Sequence, residues 1–112
     1  MVRITFYIGQ DQTSPSTGLP LTPAVRQWEE AQWEEAYGWF LKAYGGFSIS
    51  TVLGGWTNPL TQKVSLETSV VVVCLTEDND TVKAINLAKK LKDLFLQDKV
   101  LYTIEEVKGE FV

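Results

Sequence analysis

Two hydrophobic periods alternate along this chain in an order that admits few folds. Val2, Ile4, Phe6 and Ile8 alternate with Arg3, Thr5 and Tyr7, the period-two pattern of a strand with one buried face, and Gly9 ends it. Residues 10–22 are rich in Ser, Thr, Gly and Pro and read as a loop longer than most connections. Thr22-Pro23 then has the form of a helix cap followed by proline at the first helical position, and the helical pattern continues to Tyr44 and stops at Gly45-Gly46. Within it, Trp28-Glu-Glu-Ala-Gln is followed by Trp33-Glu-Glu-Ala-Tyr. A five-residue step is not a helical repeat, so the two tryptophans are about 140° apart. Trp33, Ala36, Tyr37, Phe40 and Tyr44 make the expected core stripe. Trp28 and Trp39 share a flank that either wraps a neighbouring element or meets a partner.

Phe47 to Leu53 reads as a second strand, and Gly54-Gly-Trp-Thr-Asn-Pro-Leu-Thr-Gln62 as a hairpin connection. The third strand, Val64 to Thr76, is the longest and most apolar. Glu77-Asp-Asn-Asp80 is expected to cap a second helix and to place negative charge in its first turn. That helix is amphipathic: Ala84, Leu87, Ala88, Leu91, Leu94 and Phe95 on one side, Lys83, Asn86, Lys89, Lys90 and Asp93 on the other, solvated side. Val100 to Val107 closes the series as a strand. The order strand, helix, strand, strand, helix, strand predicts a single α+β domain over residues 1–112. Its fold is the ferredoxin-like β-α-β-β-α-β sandwich, with a four-stranded antiparallel sheet carrying two helices on one face.

Charge and residue types narrow the chemistry. The net charge of −4 opposes phosphate backbones, and the third strand offers valines where an RNA-binding sheet offers stacking aromatics, so nucleic acid is not expected. Histidine is absent, which removes the commonest general base and metal ligand. The single cysteine, Cys74, lies in the run Ser69-Val-Val-Val-Val-Cys-Leu75 and reads as a small buried hydrophobe. No metal or cofactor is expected. No apolar run approaches a membrane span and the start already alternates as a strand, so the chain reads as cytoplasmic and acidic, with no membrane partner.

The third strand is apolar on both faces, Val70, Val72 and Cys74 one way and Val71, Val73 and Leu75 the other. In this fold only one face is covered by helices. Each buried side chain of this size stabilises by roughly 1.5–3 kcal/mol, so Val70, Val71, Val72 and Val73 mark a candidate dimer face. A homodimer of the dimeric α/β-barrel type is expected, unless the loop, the tail or flanking aromatics fold back over the sheet.

Several short stretches together resemble a bacterial domain family of unknown function. They are Tyr7-Ile-Gly9, Phe40, Gly46-Phe47, Gly54-Gly-Trp56, Glu67 with Ser69, Phe95-Leu-Gln97 and Val100-Leu101. The resemblance spans nearly the whole chain and implies no catalytic or binding residues. Members are often secreted, whereas this chain opens directly on a strand.

The topology gathers Gly9, Thr22, Trp56, Asn58 and Gln97 at one end of the sheet. Tyr7, Trp56, Asn58, Glu67, Gln97 and Tyr102 are therefore the candidate pocket for a small-molecule ligand. Ordinary packing is the competing account: Trp56 plugging the sheet end, Asn58-Pro59 turning the chain, Glu67 pairing with Lys63. Two functions follow. One is a non-catalytic dimeric binding or assembly module. The other is a cofactor-independent enzyme with Glu67 as base, its pKa raised by burial, and Tyr7, Tyr102 or Trp56 orienting an apolar or aromatic substrate.

Overall fold

β1 (Val2–Gly9), α1 (Glu29–Tyr44), β2 (Ser48–Thr57), β3 (Val64–Thr76), α2 (Thr81–Leu94) and β4 (Leu101–Glu106) follow one another in the expected order. The computed structural model describes residues 1–9, 29–57, 59–97 and 99–112, with backbone alone at Glu29, Trp56 and 65–68. The expected loop over 10–22, the Thr22-Pro23 helix start and Trp28 lie outside the described residues.

The sheet order is β2-β3-β1-β4, with every neighbouring pair antiparallel. β1 and β3, each followed in sequence by a helix, thus occupy the centre, which is the ferredoxin-like α+β arrangement. Register decides what each face carries, because a strand's side chains alternate. Phe6 stands opposite Val72 and Tyr102, and Ile4 opposite Cys74 and Ile104. These rows face the helices and supply the core, together with Trp33, Ala36 and Phe40 of α1 and Ala84, Leu87, Ala88 and Leu91 of α2. The other face carries Tyr7 opposite Val71 and Leu101, Thr5 opposite Val73 and Thr103, and Arg3 opposite Leu75 and Glu105.

This register corrects half of the expected dimer face. Val70 and Val72 are core residues under the helices, whereas Val71 and Val73 lie on the open face.

Aromatic packing seats α1. Phe40 meets Phe6 at 5.8 Å and Phe47 at 5.6 Å between ring centroids, and Tyr37 stacks on Phe47 at 5.1 Å. Phe6 and Phe40 are fully buried, each stabilising by roughly 2–3 kcal/mol. Trp33 reaches across to Phe95 at the end of α2, 4.4 Å away. Trp39 serves the neighbouring helix, with Lys90 Nζ 4.3 Å above its ring. Gly45 ends α1: its φ of 79° needs no Cβ, and its N–H donates to Leu41 O at 2.9 Å.

The bounds of β2 and β4 and the charge at the start of α2 differ from expectation. β2 starts one residue later, at Ser48, and runs on through Gly54-Gly55 to Thr57, with Gly54 opposite Glu67 and Gly55 opposite Leu66. Sequence alone places the twin glycines in the turn, yet cross-strand pairing holds them in the ladder and leaves only 58–63 for the connection. In α2 the first turn holds no acid; the negative charge sits before it, on the N-cap Asp80 and on Asp78. Two of the lysines read as solvated are engaged, Lys83 with Asp78 and Lys90 with Trp39. β4 is shorter by a residue at each end. No helix among the described residues is long and apolar enough to cross a membrane.

Candidate functional site

Of the six residues named at the sheet end, the three whose side chains are described, Tyr7, Gln97 and Tyr102, do not gather around one cavity. Gln97 is drawn inward as a clasp: its side-chain Nε2 donates to Gly9 O at 2.9 Å and to Phe95 O at 3.1 Å. The backbone that presents it follows from the end of α2. Leu96 takes a left-handed φ of 51°, its N–H reaches Asp93 O, and Gln97 N–H reaches Lys92 O at 2.9 Å. That pair of bonds satisfies the last helical carbonyls and turns the chain toward β1.

Tyr7 and Tyr102 fall on opposite faces of the sheet. Tyr7 sits on the open face opposite Leu101, whereas Tyr102, opposite Phe6, packs against the core. They cannot line one cavity, because adjacent positions of a strand point apart. Trp56 and Glu67 occupy β2 and β3 at positions paired with Ser65 and Gly54. Their side chains, and the whole of Asn58, lie outside the described residues.

A groove of about 400 Å³ lies instead at the opposite end, where β3 leaves the sheet and β2 enters it. Tyr44, Phe47, Ser48, Val73, Leu75 and Phe111 line it. Phe111 reaches this site because the tail passes the start of β1, where Val107 N–H donates to Met1 O at 3.0 Å. The tail thus borders the lower part of the open face, as one sequence-level alternative allowed, yet Phe111 itself stays exposed.

Beside this groove Tyr44, Cys74 and Asp78 are shifted from their ordinary ranges. Burial, then the neighbouring Cys74, Asp78 and Asp80, push the Tyr44 hydroxyl up to about 12. The Tyr44 Oη is buried and, among the described residues, has no hydrogen-bond partner. Burial alone pushes the Cys74 thiol up to about 12, so it stays protonated at neutral pH. Asp78 is held below the ordinary carboxylate range, chiefly by the Lys83 ammonium at 2.8 Å and then by the Asp80 N–H at 2.9 Å. Lys83 also lies 5.1 Å over the Tyr44 ring. Asp80 Oδ1 accepts from Lys83 N–H at 3.2 Å, the N-cap bond of α2. The cluster anchors a helix start and a sheet corner; its thiol and phenol are neutral. Among the described residues no cluster of acids and thiols stands close enough together to hold a metal ion.

Sequence reasoning missed this groove because its lining comes from a helix end, two strands and the tail. Only the turn at Gly45-Gly46 and the late aromatic Phe111 hinted at it.

No protein-family model matches the chain, and no curated protein is similar to it. The motif-level family resemblance therefore rests on those short stretches alone. Among solved structures, the chain is similar to a phage SAM lyase in complex with S-methyl-5'-thioadenosine. The identity is 18% and the TM-score 0.53, over 94% of this chain and 80% of that one. It is also similar to CutA1 from Pyrococcus horikoshii OT3, at 11% identity and a TM-score of 0.58, over 99% of this chain and 87% of that one. A DUF3240 family protein from Shewanella baltica gives 11% identity and a TM-score of 0.48, over 99% and 94%. At these identities the first two likenesses are likenesses of fold.

Proposed function

We propose that this protein is a non-catalytic binding and assembly module, in which a second copy covers the apolar part of the open sheet face. One observation carries the reading: Val71, Val73, Leu75, Tyr7 and Leu101 fall on that face in adjacent register rows. Thr5 and Thr103 lie in the row between Tyr7 and the Arg3–Glu105 pair, which is 3.3 Å apart. Apolar and polar groups mixed in this way are within the range of a contact surface. The middle is already shielded within the protomer, with Thr5 only 4% and Val71 only 9% exposed. The gain on association therefore comes from Leu75, Tyr7 and Leu101 around it. The groove, with Tyr44, Phe47, Val73, Leu75 and Phe111 in its lining, has the size for a small ligand.

The test uses residues that the protomer leaves exposed, so that folding is preserved. Leu75→Lys combined with Leu101→Lys is expected to reduce the sedimenting mass by half while the thermal melt stays cooperative. An unchanged mass in that double variant would sink the reading. Val72→Lys is unsuitable, because it places a charge in the core.

A catalytic reading draws on the fold shared with the phage lyase and keeps Glu67 as its base. It expects SAM turnover that Glu67→Gln abolishes, with S-methyl-5'-thioadenosine binding competitively. Absence of turnover and of binding by calorimetry would remove it.

A further inference from the structure

The hairpin of β2 and β3 outruns the rest of the sheet. β1 ends with Gly9 opposite Ser69, yet β2 and β3 continue pairing for five more positions, from Leu53 opposite Thr68 to Thr57 opposite Val64. At about 3.4 Å per residue this arm projects some 17 Å. Among the described residues, β3 keeps only β2 beside it there. Two strands without a third are marginal in water.

Among the described residues, no strand pairs with the outer edge of β2. Edge strands are normally blunted by charge, proline or short length. β4, the other edge, is six residues long and carries Glu105 and Glu106. β2 is ten residues long, Ser48-Ile-Ser-Thr-Val-Leu-Gly-Gly-Trp-Thr57, with no charged residue and no proline. Its apolar side chains are exposed, Ile49 at 38% and Leu53 at 72%. Both belong to the helix-side face, since Ile49 stands opposite the core residue Val72.

We infer that the β2 edge pairs antiparallel with the β2 edge of a second copy, about a two-fold axis at Thr51. The sequence of the strand fits itself in this register. Ile49 falls opposite Leu53 of the second copy and Leu53 opposite its Ile49, on the helix side; Ser50 falls opposite Val52 on the other side. Cross-strand apolar pairs of this kind are what stabilise a ladder. α1 adds to the seam. Trp39 and Gln32 on one flank of α1 engage α2, through Lys90 and Leu94 O, so the opposite flank overhangs β2. That flank carries Leu41, 52% exposed, and the two-fold brings it toward its counterpart.

This contact is independent of the open-face contact. The edge axis runs perpendicular to the sheet, whereas an axis for stacking two open faces lies in its plane. If the two axes also meet at one point, the two contacts together close a D2 tetramer.

Thr51→Cys places one thiol opposite its equivalent, within the roughly 4.4–6.8 Å Cα separation of a disulfide. Leu53→Cys is offset by four residues, about 14 Å away, and serves as the control. Under mild oxidation, Thr51→Cys is expected to form a covalent dimer on a non-reducing gel at least tenfold faster than Leu53→Cys; the native Cys74 is buried and silent. Leu53→Lys is expected to halve the sedimenting mass, and Leu75→Lys with Leu101→Lys to leave the Thr51→Cys cross-link intact. Equal cross-linking of the two cysteine variants would overturn the edge contact, as would an undiminished mass in Leu53→Lys. Neither result bears on the open face, whose own double variant reads it separately.

Discussion

The side-chain amide of Gln97 donates to the carbonyl oxygen of Gly9 at 2.9 Å, bridging 88 positions of sequence. It ties the exit of α2 to the end of β1, and so holds the second helix over the sheet. Gln97→Ala is expected to destabilise by about 1–2 kcal/mol, since it leaves a partly buried carbonyl without its donor. Gln97→Glu should cost more, because a carboxylate cannot donate there. Urea unfolding of the two variants checks both magnitude and order.

Leu96 occupies a left-handed backbone position, φ 51°, that glycine fills without strain, and its side chain is exposed. Leu96→Gly is therefore expected to stabilise by about 0.5–1 kcal/mol despite the entropy glycine adds to the unfolded chain. A rise in the urea midpoint with an unchanged slope is the expected outcome; a fall would mean that the Leu96 side chain packs more than its exposure suggests.

Tyr44 carries a buried hydroxyl with no partner among the described residues. Removing it with Tyr44→Phe keeps the ring and the Lys83 contact, and should stabilise by about 1 kcal/mol at neutral pH. The pH dependence has a definite sign. With the folded pKa raised to about 12, the stabilising contribution of the neutral phenol is complete below the unfolded value of about 10. It is lost as pH rises through 10 to 12. Tyr44→Phe should flatten that alkaline loss, leaving the part due to Cys74. Denaturant melts across this range, with tyrosinate absorbance followed in parallel, test it.

Asp78 behaves in the opposite sense. Its carboxylate is held below the ordinary range by Lys83 and the Asp80 N–H. The stability it contributes is present above the unfolded value of about 4 and disappears as pH falls through the lower folded value. Asp78→Asn should lower Tm at neutral pH and converge with the wild type in acid, once pH has fallen below the lowered folded value. A Tm gap that persists unchanged into acid would rule out the ion pair as its cause.

Element type and order were legible from residue pattern alone, because period two and period 3.6 are written locally. Phe6 among alternating polar neighbours, Gly45 after the last helical turn and Asp80 before Thr81 each state their roles within a few residues. So was the doubly apolar character of β3. Which valines face the helices was not legible, since Val70 and Val71 are chemically the same and only the pairing with Ile8 and Tyr7 separates them. The split of Tyr7 and Tyr102 between two faces has the same origin. The groove beside Tyr44 and the overhang beyond Ser69 belong wholly to tertiary structure. They arise where a helix end, two strands and a tail meet, and where one strand stops before its neighbours. Chain composition sets how much apolar surface must be buried; register and strand length decide where the remainder emerges.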